Sequence, residues 1–314
     1  MQLWQTDISA ARNKLHDSPV VATMGNFDGV HVGHRRLIST AVRMAKERCR
    51  QSVLITFNPH PMKVIAQSSH SGLLMTLSQK LNVLESLGVD YVWLIPFNLE
   101  FSELAPEVFL ELLGRYIIPA EIHVGQAFRF GRDRTGDITT MQNWGDNIGC
   151  QVHAHAYLAP DGGILSSSRI RQALATGDAD LASELLGAPY KMSGMVVEGS
   201  KRGRELGFPT ANLQWEQEFI PANGVYITKV SCPTRLNEPS LGLTNIGEKP
   251  TFGSQQQTIE THLLGINTDL YGANIELELL HRIRGEQKFD NPESLIIQIA
   301  EDIEHGIRWW KLNC

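Results

Sequence analysis

The chain predicts an α/β protein in two parts: a doubly wound parallel sheet, then a small antiparallel barrel followed by a terminal helix. Three observations carry this. Through the first half, short apolar runs alternate with segments of helical periodicity, the pattern of strands joined by crossover helices. Past Gly187, strand-like runs follow one another with only Gly, Pro and Asn turns between them, as in an antiparallel barrel. From Asn291 onward, apolar residues return at helical spacing.

In order, strands are expected near residues 20 to 25, 52 to 57, 90 to 96, 121 to 125 and 151 to 157. Helices are expected near 34 to 48, 77 to 87, 105 to 117 and 138 to 147. The first helix carries Leu37, Ile38, Ala41, Val42 and Ala45 on one face,. Thr76 with Gln79 suits a capping box for the second, and Gly88 suits its C′ position,. In the second half the strand-like runs are MSGMVVEG, GVYITKV, IETHLLG and NIELELLHRI, and residues 275 to 279 alternate with period two,. The terminal helix has Asn291 as N-cap, Pro292 at N1, and a stripe of Leu295, Ile299, Ile303 and Ile307 that reads as core,. The composition shift falls in LLGAPYKMSG, giving domains of residues 1–187 and 188–314. There is no low-complexity tract and no internal repeat.

The length of 314 residues suits two domains that each hold a core,. With 42% hydrophobic and 20% charged residues, the composition is that of an ordinary globular protein,. A net charge of −6 argues against general nucleic-acid binding, while arginines at 129, 132, 134, 202 and 204 supply local positive potential for a nucleotide,. Cys49, Cys150, Cys232 and Cys314 are scattered, with no metal-ligand spacing, and read as reduced thiols,. The start MQLWQTDISAARNK is no signal peptide, and no apolar stretch has membrane-spanning length,. The expectation is a cytoplasmic protein without membrane or nucleic-acid partners, a monomer or weak homo-oligomer.

Two segments carry phosphate chemistry. TMGNFDGVHVGH, residues 23 to 34, follows an apolar run and leads into a helix. Its glycines Gly25, Gly29 and Gly33 let backbone approach a ligand, and the helix start offers unpaired N–H groups to phosphate,. His31 and His34, three apart, share one face of the first turn, where imidazolium N–H groups can stabilise a phosphoryl oxygen,. Gly and His also serve ordinary turns and caps. The Walker pattern GxxxxGK[ST] is absent,. KRGRELGFPTAN, residues 201 to 212, spaces Gly199, Gly203 and Gly207 every fourth residue around Lys201, Arg202 and Arg204. That reads as a cationic flap or as a solvated basic loop. Thr210 and Asn212 are hard oxygen donors suited to Mg²⁺, or simply parts of a turn,. Glu260 lies in the β-branched segment QTIETHLLGI and either serves as a base or faces water,.

Residues 20 to 34 resemble the HxGH nucleotidyltransferase superfamily. LSSSRIRQAL, residues 165 to 174, is similar to its S-S-T-x-I-R signature, with Ser168 in the threonine position. Together with TFNPHP (56 to 61) and VGQAFRFGRDRTGD (124 to 137), these resemble the N-terminal half of bacterial bifunctional riboflavin kinase/FAD synthetases. The likeness continues through GVYITKV, TNIGEKPTFG, the Glu260 segment, DLYG and IRGEQKFDNPESL, and so spans essentially the whole chain.

The resemblance implies an N-terminal nucleotidyltransferase sheet and a six-stranded Greek-key barrel. It implies that the barrel phosphorylates riboflavin to FMN with ATP, and that the sheet domain adenylylates FMN to FAD with release of pyrophosphate. It makes His31, His34 and Arg171 the stabilisers of the adenylyl transition state, and Glu260 the base for the ribityl 5′-hydroxyl. Gly25, Asn26, Phe27, Asp28, Gly33, Ser167 and Ser168 would bind nucleotide in the first domain, and Lys201, Arg202, Gly203, Arg204 and Gly207 would do so in the second. His60, Phe128, Arg129 and Arg284 would touch flavin, and Thr210 with Asn212 would hold Mg²⁺. Where the family has Asp or Asn, this chain has Ala127. That departure opens a second reading, a kinase with a weakened or inactive adenylyltransferase domain. A third is a flavin-binding regulatory protein, disfavoured because a binder needs neither a base nor transition-state donors.

Overall fold

The structure, a computed structural model, describes residues 1–5, 18–65, 72–159, 161–199, 202–251, 254–266 and 268–314. The chain forms two compact units, one of Met1–Ser71 with Leu77–Leu165, the other of Gly72–Thr76 with Ser166–Cys314.

The first unit contains β1 (Gln2–Gln5), β2 (Val20–Met24), α1 (Val32–Glu47), β3 (Ser52–Asn58) and the short α2 (Pro61–Ile65). It continues with α3 (Leu77–Ser86), β4 (Tyr91–Pro96), the single turn α4 (Leu99–Ser102), α5 (Pro106–Tyr116), β5 (Pro119–Gly125), α6 (Ile138–Ile148) and β6 (Gln151–His155). The six strands pair in the order β1-β4-β3-β2-β5-β6, all parallel. Every residue of β2 is buried because helices cover both faces,. Val20, Ala22 and Met24 join Phe109, Leu110 and Leu113 of α5 on one face, while Val21 meets Ala41 and Ala45 of α1 on the other. The expected helical face Leu37, Ile38, Ala41, Val42 and Ala45 is the one α1 buries. Gly88 takes φ 78°, the left-handed conformation of a C′ residue,. Chain direction across the sheet reverses between β2 and β5. The loops after these two strands, carrying residues 25 to 31 and 126 to 137, therefore flank the switch point where open α/β sheets bind ligands,.

The second unit opens with α7 (Ser167–Thr176) and α8 (Ala179–Leu186). β7 (Tyr190–Val197), α9 (Arg202–Glu205), β8 (Ala211–Trp215), β9 (Gly224–Ser231), β10 (Ser240–Thr251), β11 (Ser254–Leu263), β12 (Asn274–Arg284) and α10 (Pro292–Asn313) follow. The strands close a barrel in the order β10-β11-β8-β7-β12-β9, every pair antiparallel. The non-sequential neighbours β8–β11 and β7–β12 give it Greek-key connectivity,. In the fully buried part of the wall, the hydroxyls of Thr228, Thr244 and Thr261 form a hydrogen-bonded row, 2.8 and 2.9 Å apart. Burying three hydroxyls is tolerable because each has a partner.

The terminal helix starts as the sequence indicates, with Asn291 Oδ1 accepting the Ser294 N–H at 2.8 Å and Pro292 in the first turn. Its expected core stripe is corrected. Leu295, Ile299 and Ile303 are only half-buried and Ile307 is exposed, whereas Asp302 and Gly306 are buried. Arg284 at the end of β12 explains the shift. Its guanidinium binds both Asp302 oxygens, at 2.7 to 3.0 Å, and turns that face of α10 toward the barrel. Gly306 then lies so close to Leu243 that a Cβ would stand 2.9 Å from its Cδ2.

α7 and α8 belong to the barrel unit by contact as well as by chain order. His281 Nδ1 lies 2.8 Å from Asp180 Oδ2, Arg282 donates to the Thr176 carbonyl at 3.2 Å, and the Ala222 N–H donates to the Leu174 carbonyl at 2.9 Å. A fragment of residues 166–314 is therefore expected to melt at least about 5 °C above one of residues 186–314, the scale of one or two lost kcal/mol in a domain of this size. Thermal denaturation of the two fragments followed by circular dichroism checks this; equal midpoints would show that the two helices add nothing to the barrel.

Candidate active sites

In the first unit the loop after β2 is held in a strained shape. Phe27 and Val30 have φ of 51° and 38° and Gly29 has 79°; non-glycine residues there cost about 1–3 kcal/mol each. The strain is offset by burial and hydrogen bonds. Phe27 and Asp28 are buried, so the Phe27 ring is a core anchor. The Asn26 carbonyl accepts from Lys80 Nζ at 2.8 Å and from Thr56 Oγ1 at 3.3 Å. A Cβ on Gly25 would stand 3.2 Å from the Phe27 ring, and one on Gly33 would meet Leu165 at 2.8 Å. Both glycines therefore let other groups pack closely.

His31 is the N-cap of α1, and its Nδ1 accepts the His34 N–H at 3.2 Å. That bond leaves the proton of the neutral ring on Nε2. The His31 and His34 rings stack at 3.5 Å, and Phe27 meets His34 edge-on at 5.2 Å. Burial pushes His31 down to about 4, and burial, then His31 and Lys80, push His34 well below its usual value. Both rings are thereby held toward their neutral forms, because charging either would mean desolvating a cation next to others. His34 Nδ1 is buried without a hydrogen-bond partner, an omission costing about 1–3 kcal/mol. Burial also lowers Lys80 to about 8, opposed by Asp28. Sequence reasoning missed Lys80. The available signal was a charge four residues before Leu84 on the buried face of α3.

A cavity of about 560 Å³ in this unit is lined by Asn26, Phe57, Met62, Phe101, Ala127, Phe128, Arg129 and Arg134, among others. Gln126 and Ala127 are the central residues of a tight turn closed by the Phe128 N–H on the Gly125 carbonyl at 2.9 Å. The Ala127 methyl lines the cavity, while Gln126 does not. His60 is buried and accepts the Met62 N–H through Nδ1 at 3.1 Å, capping the helix whose Pro61, Met62 and Ile65 form cavity wall. Ser167, Ser168 and Arg171 fall in the second unit, so the HxGH and SSSRIR segments belong to different units. The N-cap of α7 is Ser166, whose Oγ accepts from the Arg169 N–H at 3.3 Å. Arg171 is buried and donates through Nε to the Gly72 carbonyl at 2.8 Å.

The barrel site follows from strand alternation. Ile259 and Thr261 are buried in the wall, so Thr258, Glu260 and His262 face outward, beside Leu243, Asn245 and Gly247 of β10. They line a cavity of about 400 Å³ with Phe208, Thr210, Glu286, Phe289, Leu295 and Ile299. Glu260 is the register partner of Asn212, and the Thr210 hydroxyl donates to Glu260 Oε2 at 3.5 Å. Three of the expected residues therefore meet. A Cβ on Gly199 would collide with the Asn212 amide, so that glycine makes room for a hard oxygen donor beside Thr210. The residues present fit Mg²⁺ by donor chemistry.

A second cavity, about 390 Å³, is lined by Val196, Arg204, Pro209, Ala211, Asp269 and Tyr271, and Thr210 belongs to both cavities. The expected flap is a single helical turn, α9, closed by the Phe208 N–H on the Gly203 carbonyl at 2.8 Å with Gly207 at φ 91°. Lys201 lies outside the described residues, and of Arg202 only the backbone is described. Arg284 lines the larger of the two cavities, but its guanidinium is committed to Asp302. Its place is that of a strut between wall and helix rather than a free ligand for flavin.

Comparison with known proteins matches the two parts of the chain to two families. Residues 13–169 match the family model described as FAD synthetase, and residues 186–310 match that of riboflavin kinase. The bifunctional riboflavin kinase/FMN adenylyltransferase of Escherichia coli (strain K12) is 38% identical over 284 residues, covering 90% of each chain. The Bacillus subtilis (strain 168) protein of the same description is 38% identical over 299 residues, covering 92% of each. A solved structure from Streptococcus pneumoniae, described as a macrolide-efflux protein, superposes with a TM-score of 0.88 at 28% identity, covering 98% of this chain and 100% of that one. Among the described residues no helix here is long and apolar enough to cross a membrane. Matched by both family models and at this identity over nine-tenths of its length, the chain belongs to the bifunctional riboflavin kinase/FMN adenylyltransferase family.

Proposed function

We propose that this chain makes FAD from riboflavin in two steps, with residues 188–314 as the kinase and residues 1–187 as the adenylyltransferase. The observation that carries the kinase reading is the meeting of Glu260, Thr210 and Asn212 where Thr210 borders two cavities. Riboflavin occupies the larger, more apolar one, against Phe208, Phe289 and Leu295, and ATP the one lined by Arg204. Glu260 accepts the proton of the ribityl 5′-hydroxyl as that oxygen attacks the γ-phosphorus, and ADP departs. Thr210 and Asn212 would hold Mg²⁺, whose charge would neutralise that of the phosphates. Arg284, through Asp302, positions the helix that walls the flavin.

In the adenylyltransferase half, the FMN phosphate attacks the α-phosphorus of ATP directly and pyrophosphate leaves, so no enzyme nucleophile is needed. Neutral His31 and His34 donate N–H groups to the developing charge; an arriving polyphosphate favours their charged forms and strengthens those bonds. Arg171, Ser167 and Ser168, in the second unit, are polyphosphate ligands by the resemblance. Lys80 acts by holding the Asn26 carbonyl and hence the loop. FMN fills the cavity of Phe57, Phe101 and Phe128. The four cysteines are free thiols, in keeping with a reducing cytoplasm,.

Riboflavin, ATP and Mg²⁺ incubated with the protein should yield FMN and then FAD by chromatography, whereas bound but unconverted riboflavin would defeat the proposal. Glu260→Gln keeps the size but not the basicity, so FMN formation should fall on the order of a hundredfold while supplied FMN is still converted to FAD. An unaltered kinase rate removes Glu260 from the mechanism. His31→Ala and His34→Ala should each lower FAD formation roughly a hundred- to a thousandfold and spare FMN formation; a parallel loss of both activities would mean misfolding instead.

One observation favours a narrower reading, a kinase with a weakened second half: at the cavity wall the methyl of Ala127 stands where the family has Asp or Asn, and Gln126 does not replace it. Without that polar contact FMN is positioned less firmly, and an ångström of misplacement can cost about a hundredfold. Ala127→Asn is therefore expected to raise FAD turnover at saturating FMN and ATP without altering FMN formation. Equal or lower turnover would show the contact to be compensated.

A further inference from the structure

β5 and its edge neighbour β6 run parallel, with His123 paired to His153 and Gly125 to His155. Paired residues in a sheet share a face, and alternate residues along a strand share it too. Ile122 and Val124 point into the apolar core, so Glu121, His123, His153 and His155 stand together on the opposite face. Three of their atoms converge. Glu121 Oε2 lies 3.6 Å from His123 Nε2 and 3.7 Å from His153 Nε2, and all three ligand atoms lie within 4.8 Å of one another.

None of these three atoms has a hydrogen-bond partner, and each is closed off from solvent. Glu121 and His123 as whole residues are 4% and 3% exposed. Leaving one such atom bare is unfavourable and three together need an explanation. The atoms on the far side of each group are, by contrast, satisfied. Glu121 Oε1 accepts from Arg48 Nε at 2.9 Å, and His123 Nδ1 lies 2.9 Å from His155 Nε2. In the tautomer where His123 Nδ1 donates to His155 Nε2, the Nε2 lone pair of His123 faces the cluster,. A ring so oriented, beside a carboxylate anchored through its other oxygen, is the outer-shell arrangement of metal-bound histidine and carboxylate.

We propose that Glu121, His123 and His153 form a binding site for a divalent transition metal of the zinc class, which fastens the edge strand β6 to β5. Two imidazole nitrogens and one carboxylate oxygen suit that class, and bonds of about 2.1 Å at tetrahedral angles place ligand atoms roughly 3.4 Å apart, close to the separations found. Hard oxygen-seeking Mg²⁺ is a poor match for two imidazoles. None of the three residues lines a cavity assigned above to riboflavin, FMN or the kinase's ATP.

The test uses the full chain, freed of metal with a chelator and kept in excess Mg²⁺ to fill the oxygen site. Zn²⁺ binding is measured by equilibrium dialysis and thermal denaturation in wild type, His153→Ala and Glu121→Gln. His153 is partly exposed, so its truncation leaves the fold intact, and each variant's melting without Zn²⁺ verifies this. The wild type should bind one more equivalent of Zn²⁺ than either variant and melt about 5 °C higher in saturating Zn²⁺, a gain absent from both variants. Equal stoichiometry in all three proteins, or a Zn²⁺-induced shift that persists in both variants, overturns the proposal.

Discussion

Alternation of side chains along a strand governs what each unit presents to a ligand. In β11 it sends Ile259 and Thr261 into the barrel wall and therefore puts Glu260 outside, opposite Asn212 and within reach of Thr210. In β5 the same period commits Ile122 and Val124 to the core and leaves Glu121 and His123 on the other face. A shift of one residue in either register would bury a carboxylate in apolar surroundings and expose a β-branched side chain. The apolar residues that stabilise each sheet thus also fix where the polar ones stand. The threonine row of β9, β10 and β11 adds a polar constraint, since Thr228, Thr244 and Thr261 satisfy one another only in the observed register.

The two proposed sites place their charge differently. The HxGH loop is drawn into the protein: His31, Asp28 and Lys80 are buried, and burial holds the histidines toward their neutral forms. Such a site holds fixed dipoles and latent positive charge, and the strained φ angles at Phe27 and Val30 are held by the Phe27 ring and the Lys80 contact to Asn26. The barrel site keeps Glu260 and Thr210 part-buried at a cavity wall, with its strong ion pair, Arg284 with Asp302, on the wall of the same cavity. There the fixed charge shapes the container.

Much of this was legible in the sequence, for physical reasons that also explain the gaps. β2 to β5 are legible because strands covered on both faces are short, apolar and bounded by helices, and the edge strand β6 is legible from its place after a helix. β10 was not, since SLGLTNIGEKPT is broken by Gly and Pro; yet Gly242 is required there, as a Cβ would stand 2.6 Å from Val230 Cγ2. β1 and β8 are short strands without a marked period. Glu260, Thr210 and Asn212 were named from sequence, but their meeting depends on the β8–β11 pairing, which no local pattern encodes. Asp302 was missed because a carboxylate inside an apolar helix stripe looks like a solvated position, and only its partner on another element reveals otherwise. Lys80 was overlooked for the same reason. Glu121, His123 and His153 are spread over two strands whose periodicity reads as ordinary β-structure.

The second unit is not one stretch of chain: Gly72–Thr76 belongs to it although the next ninety or so residues belong to the first. The Gly72 carbonyl is held by Arg171, and the Leu73 N–H by Glu218. A ribosome delivers residues 72 to 76 long before either partner exists. During synthesis the first unit can gather its sheet as soon as β6 emerges, yet this short segment must wait for these two partners until α7 and then the loop after β8 have left the exit tunnel. The order of assembly is thereby written into the connectivity: the nucleotidyltransferase sheet condenses first, around a loop already reserved for the barrel that follows it.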